Sequence, residues 1–172
     1  MKESDESKNN FEILQQEHKE ALEKTNQLDE VLTHLRFEGK VQLGKNTDDL
    51  ERLIAYFKKQ LLTHVKKEEA VFSFLQTRIP KLDPLLHLLQ AEHKELKVNI
   101  EVLEFLSHDL SQEKGDAHRI QIIEKLKEKG TYLIYFLRHH LQVEEEGVYL
   151  AIDKDLKKDE KKEVARLLQI SG

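Results

Sequence analysis

The chain has 172 residues, 38% of them apolar, enough for a single domain with a buried core. Charged residues make up 35%, and a net charge of −5 marks a mildly acidic protein with no basic face to suit nucleic acid. The lack of cysteine excludes disulfides, thiolate metal sites and cysteine nucleophiles.

The opening MKESDESKNN is polar and reads as an N-terminal tail (1–10) without the apolar stretch of a signal peptide. No later run is long and apolar enough to span a bilayer, so the expectation is a cytoplasmic protein. With 2 Pro and 6 Gly there is little turn chemistry, which favours long helices. Stepping by three and four residues, the first apolar seam runs Phe11, Leu14, His18, Ala21, Thr25, Leu28, Leu32 and Leu35. EGKVQLGKNTDD (38–49) is expected as a Gly-marked loop ending in capping residues. The second seam is Leu50, Ile54, Phe57, Leu61, His64, Glu68, Val71 and Leu75. Asp83-Pro84 reads as an N-cap followed by the proline favoured at the first helical position. A third seam follows: Leu86, Leu89, His93, Leu96, Ile100, Leu103, Ser107 and Leu110. SQEKGD (111–116) is the next turn, and the fourth seam is Leu126, Gly130, Leu133, Leu137, His140, Glu144, Gly147 and Ala151. DEKKEVARLLQI (159–170) predicts a short amphipathic fifth helix. Short connections between long helices favour antiparallel neighbours. The expected fold is therefore all-α: an antiparallel up-down-up-down four-helix bundle over 11–152, with a short C-terminal helix within 153–172.

Six strongly polar residues interrupt these seams: His18, His64, Glu68, His93, His140 and Glu144. A buried carboxylate needs a partner, and the seams contain no lysine or arginine to supply one. Residues i and i+4 differ by roughly 40° around a helix, so His64/Glu68 and His140/Glu144 each project together. Glu69 and Glu145 lie about 100° further round and are expected to face solvent or a neighbouring helix. His139 is turned off the seam, and His34, His87, His108 and His118 have no matched partner. These five are read as surface residues or neighbours of the site.

The pattern occurs twice. QEHKEAL around His18 echoes AEHKELK around His93, and HVKKEE from His64 echoes HLQVEE from His140. His64 follows His18 by 46 positions and His140 follows His93 by 47. A single histidine on an apolar seam is usually a hydrogen-bonded core residue, and a Glu-Glu pair is usually a solvated face. Neither explains recurrence at matched spacing in four helices. Four imidazoles and two carboxylates without thiolate suit iron, manganese or zinc. Six donors exceed one tetrahedral zinc site, so a pair of metals is more natural. In that arrangement His18 and His64 hold one ion and His93 and His140 the other. Glu68 and Glu144 bridge them, about 3.5–4 Å apart as in other two-metal sites.

From about Phe11 to Ala151 the chain resembles the hemerythrin-like, or HHE cation-binding, domains. The resemblance rests on the first-helix His18, on H-x-x-x-E-E at His64, Glu68 and Glu69, on E-H-x-x-L at Glu92, His93 and Leu96, and on the final H-x-x-x-E-E at His140, Glu144 and Glu145. It implies a four-helix bundle around two iron ions, neither heme nor iron–sulfur, with carboxylate and solvent bridges. Ferritin-like di-iron proteins differ, carrying Glu-x-x-His at i, i+3. Oxygen carriers of the family have a fifth histidine four residues after the third-helix one, where this chain has Lys97; the repeat mate of Lys97 is Leu22. The proline that often closes the Glu-Glu motifs is replaced by Phe74 and Leu150. A 2+2 histidine set is more symmetric than the carriers' 3+2 and leaves more open positions. The resemblance thus implies a site for a small diatomic or peroxide ligand: oxygen, nitric oxide or peroxide. Iron sensing or storage is an alternative use of the same residues. A metal-free helical interaction module with a hydrogen-bonded polar core is an alternative from another class. Lys97 has two readings of its own, a snorkelling surface lysine or an ammonium placed over the open positions.

Overall fold

The computed structural model describes the backbone of residues 3–112 and 115–171, and side chains from residue 12 onward. The heptad-like seams fold as helices throughout, and no strand occurs among the described residues. The elements are α1 (Glu3–Glu38), α2 (Leu43–Tyr56), a π turn (Phe57–Leu61), α3 (Leu62–Arg78), a 3₁₀ turn (Pro80–Leu82) and α4 (Asp83–Gln112). After these come α5 (Asp116–Val143), a second π turn (Glu144–Tyr149), α6 (Leu150–Asp155) and α7 (Lys158–Ile170). Helix α1 packs on α2 and α5, and α4 packs on α5 and α2. The elements thus close a ring around a common core. Contacts between α1 and α5 run in opposite chain order: Thr25 meets Arg138, Asp29 meets Lys127 and Arg36 meets Glu124. The tail expected over 1–10 lies outside the residues whose side chains are described. No described helix is long and apolar enough to cross a membrane.

From Leu14 to Leu110 every residue placed on the first three seams is buried, the polar ones included. Two apolar clusters result. One contains Ala21, Leu61, Val65, Leu96, Leu137 and Leu141 and continues to Leu35 and Leu110. The other contains Leu14, Val71, Phe72, Leu89, Val148 and Ile152. Helix α7 packs on α1 and α3 and adds Val164 and Leu168 to the second cluster. At roughly 1.5–3 kcal/mol for each fully buried large apolar side chain, that short helix has reason to dock.

Three local expectations are corrected. The loop after α1 is shorter than 38–49, because α2 begins at Leu43. Gly39, at φ 55°, makes the left-handed turn that ends α1. Asn46 does not cap; it is buried inside α2 and donates from Nδ2 to Glu38 Oε2 at 3.1 Å. Asp83 is not an N-cap either. The 3₁₀ turn leads straight into α4, and Asp83 is already helical at φ −51°, ψ −46°. Third, the fourth seam shifts beyond Glu144: Val148 and Ile152 are buried where Gly147 and Ala151 were expected. The wide turn Glu144–Tyr149 inserts one residue into the helical count, and the register moves by one. Gly147 sits where that turn passes α4. A Cβ there would stand 2.6 Å from Leu85 Cδ2, so the Leu85 side chain would have to move aside.

Candidate metal centre

Between the two apolar clusters lies a polar layer. His18 comes from α1, His64 and Glu68 from α3, His93 from α4, His140 from the last turn of α5 and Glu144 from the start of the second π turn. None is more than 3% exposed. Glu68 Oε1 stands 3.0 Å from His64 Nε2 and 3.5 Å from His18 Nε2, while its Oε2 stands 3.4 Å from His93 Nε2. Glu144 mirrors it, with Oε1 2.8 Å from His140 Nε2 and 3.3 Å from His93 Nε2, and Oε2 3.3 Å from His18 Nε2. Each carboxylate therefore sends one oxygen toward each pair of imidazoles.

The outer ring nitrogens are held as well. His18 Nδ1 meets Glu145 at 3.2 Å, His64 Nδ1 meets Glu17 at 2.5 Å, His93 Nδ1 meets Glu69 at 3.2 Å and His140 Nδ1 meets Glu92 at 2.6 Å. An ionised carboxylate only accepts, so each Nδ1–H donates, and in the neutral ring that a metal requires each Nε2 is left to present its lone pair inward. The twice-written phrases thus acquire a physical reason. In each Glu-His pair the histidine enters the layer and the glutamate holds a histidine of the next helix. In each Glu-Glu pair the first carboxylate enters the layer and the second holds a histidine of a neighbouring helix. Glu69 and Glu145 do face a neighbouring helix, as expected. Glu17 was missed by the sequence reading, although its repeat with Glu92 was visible. Tyr149 was missed too: its hydroxyl donates to Glu68 Oε1 at 2.6 Å and lies 3.0 Å from His18 Nε2.

Without a cation these contacts conflict. His18 Nε2 and His64 Nε2 face each other at 2.9 Å, and at most one of them can carry a proton between them. Glu68 Oε2, Glu144 Oε2 and His140 Nε2 are buried and make no hydrogen bond, although imidazole or carboxylate atoms lie within 3.4 Å of each. Such close but misdirected approaches suit ligands that share an ion. Donors at right angles around an octahedral ion, about 2.1 Å from it, stand about 3.0 Å apart. Two groups could hold a metal ion: His18, His64, Glu68 and Glu144, and Glu68, His93, His140 and Glu144, their donor atoms lying within 4.8 Å of one another in each. The donor set fits a metal.

The electrostatics agree. Burial disfavours charge on His18, but the Glu144 and Glu68 carboxylates beside its Nε2 outweigh it and raise the imidazole to about 9. His64 and His93 are likewise raised to about 10 against the cost of burial, His64 by the charge of Glu68 and His93 by the Glu144 and Glu68 carboxylates beside its Nε2. Burial would raise Glu68, yet His64, His18 and His93 hold it well below the usual carboxylate range. The layer attracts positive charge strongly.

The remaining histidines, His34, His87, His108, His118 and His139, are all exposed. Lys97 is exposed as well, and so is its mate Leu22 at 37%. The reading that sets the ammonium over open positions is therefore replaced by the surface one.

A helical bundle with a buried imidazole–carboxylate layer at mid-height is the architecture of a cation-binding domain. The chain matches the hemerythrin HHE cation-binding domain over residues 9–149 and belongs to that family. No curated protein matches it in sequence.

Proposed function

We propose that this chain is a non-heme di-iron protein whose centre binds or reacts with a small ligand: oxygen, nitric oxide or peroxide. The bundle proper covers 11–152 in antiparallel up-down-up-down order, followed by the short C-terminal helix. His18 and His64 hold one iron, His93 and His140 the other, and Glu68 and Glu144 bridge. The observation that carries this is the splitting of each carboxylate between the two imidazole pairs, with one oxygen 3.0 Å from His64 and the other 3.4 Å from His93 for Glu68. A hydrogen-bonded polar core without metal would not leave Glu68 Oε2 and Glu144 Oε2 without a donor.

The chain's own residues set the chemistry. Glu17, Glu69, Glu92 and Glu145 orient the four imidazoles and keep Nδ1 protonated. Leu14, Phe72, Leu89 and Val148 on one side, and Ala21, Val65, Leu96 and Leu137 on the other, exclude bulk water from the layer. Two irons would supply redox electrons and coordination positions that the protein leaves to solvent or a small ligand. Iron sensing or storage by the same residues would show as metal release under mild chelation rather than as ligand binding. The test is elemental analysis of protein expressed with iron, followed by azide addition to the oxidised form. Two irons per chain and an azide-dependent spectrum are expected; protein that folds without taking up metal would sink the proposal.

A further inference from the structure

The two halves of the layer are not equivalent, and the difference is chemical. Phe72 lies eight residues after His64, and Tyr149 nine after His140, the extra residue being absorbed by the second π turn. The two rings occupy matching places. Phe72 stacks on His93 at 5.7 Å and 16°, and Tyr149 stacks on His18 at 5.1 Å and 22°. Only one of them carries an oxygen. That oxygen lies 2.6 Å from Glu68 Oε1 and 3.0 Å from His18 Nε2, the spacing the other donors of the layer keep among themselves. Tyr149 is 7% exposed. A phenol has one proton, and here two acceptors compete for it, a carboxylate oxygen and an imidazole nitrogen whose other nitrogen already donates to Glu145. If the proton goes to Glu68, the phenol oxygen and His18 Nε2 are left facing each other with lone pairs. One cation between His18, His64, Glu68 and the phenol would relieve both that contact and the His18–His64 contact.

We propose that the Tyr149 oxygen is a direct ligand of the ion held by His18 and His64, a seventh protein donor that the ion at His93 and His140 lacks. The inference rests on the di-iron reading above. On loading with ferric iron the phenol O–H bond breaks as the oxygen–iron bond forms, and the proton leaves to solvent. Neither metal nor protein changes oxidation state in that exchange. The consequence is an asymmetric pair: one position filled by a strongly donating oxygen, the other left for an external ligand. An incoming small molecule therefore binds at the His93/His140 position.

The experiment uses the full chain loaded with iron and oxidised, and compares wild type with Tyr149→Phe. The substitution keeps the ring and its stacking on His18. Wild type should show a visible phenolate-to-iron(III) charge-transfer band, with tyrosine ring modes enhanced in the resonance Raman spectrum excited within it. Tyr149→Phe should lose both and should yield its iron to a chelator more readily than wild type. A loaded wild-type protein without the band, or a band that survives in Tyr149→Phe, overturns the inference and leaves the di-iron centre standing. Failure of wild type to take up iron overturns the centre itself, and this ligand with it. Should Tyr149→Phe misfold, the wild-type Raman spectrum with ring-deuterated tyrosine still decides: the enhanced modes shift if tyrosine is bound and are absent if it is not.

Discussion

The half of the layer built on His18 and His64 and the half built on His93 and His140 share side-chain types and outer carboxylates, but not their surroundings. Around the first lie Tyr149 and the small Ala21; at the matching places around the second lie Phe72 and Leu96. A surface cleft of about 320 Å³, lined among others by Glu17, Leu61, His64 and Lys67, also reaches the first half. Lys67 pairs with Glu17 there at 2.7 Å. A duplicated motif can therefore keep one donor set twice and still build two different positions, because its neighbours are free to diverge. The side chains that belong to both halves at once, Glu68 and Glu144, are where the two-fold pattern is least free to change.

Breaking those shared side chains should have the largest effect. Glu68→Ala or Glu144→Ala removes a donor from both halves, and iron per chain should fall to near zero by elemental analysis. Glu69→Ala and Glu145→Ala remove only an outer partner of His93 or His18, for which a 10–100-fold loss of affinity is the usual scale. Equal losses from all four would show that the layer is drawn on the wrong face.

Glu17→Gln and Glu92→Gln sharpen the comparison, since these residues hold His64 and His140 in matching ways. Burial disfavours charge on Glu17, but hydrogen bonds from His64 and Lys67 outweigh it and keep the carboxyl below its ordinary value. Each amide variant should weaken iron binding by roughly 10–100-fold, measured by competition with a chelator. A loss confined to one of them would mean that the two halves do not rely on their outer carboxylates alike.

The pH dependence follows from the imidazoles. In the metal-free state His18 is raised from 6.5 to about 9, and His64 and His93 to about 10. Protonation of His93, and of one of the His18–His64 pair whose Nε2 atoms leave room for a single proton between them, favours the folded state. This contribution is complete below about pH 6.5 and is lost as pH climbs through 9 to 10. On the di-iron reading iron competes with the same protons, so its affinity should move the other way and rise with pH. Thermal unfolding with and without iron should show the gap in midpoint widening from pH 6.5 to about 9. A gap that narrows over that range would contradict the ligand set.

The smallest effect is expected at Lys97. It is exposed, so Lys97→Leu should leave iron content and azide affinity at wild-type values. A clear drop in azide affinity would return the ammonium to the site.

The sequence carried the six inward residues because burial on a helical seam leaves a periodic trace, and because the motif recurs. All six meet in one layer. The outer role of Glu69 and Glu145 was half legible: their angle pointed to a neighbouring helix, but not to the Nδ1 of a particular histidine. Glu17 stood in plain view in the repeated Glu-His pair. Its target is on another helix, however, and one-dimensional spacing does not give a contact between helices. Tyr149 was hidden for a different reason. The wide turn at Glu144–Tyr149 adds a residue to the helix, and a count by threes and fours passes over it and places Gly147 inward instead. The same kind of limit applied to Asn46 and Asp83. Both are good capping residues by type, yet each has helical turns on its N-terminal side, so neither stands at a free helix start.

The most direct test is an anaerobic titration of metal-free protein with ferrous iron, following heat and the thermal midpoint together. Two ions bound per chain, with the unfolding midpoint rising as they bind, is the predicted result. Saturation at a single ion, or a midpoint that stays fixed while iron is added, would contradict a layer built to hold a bridged pair.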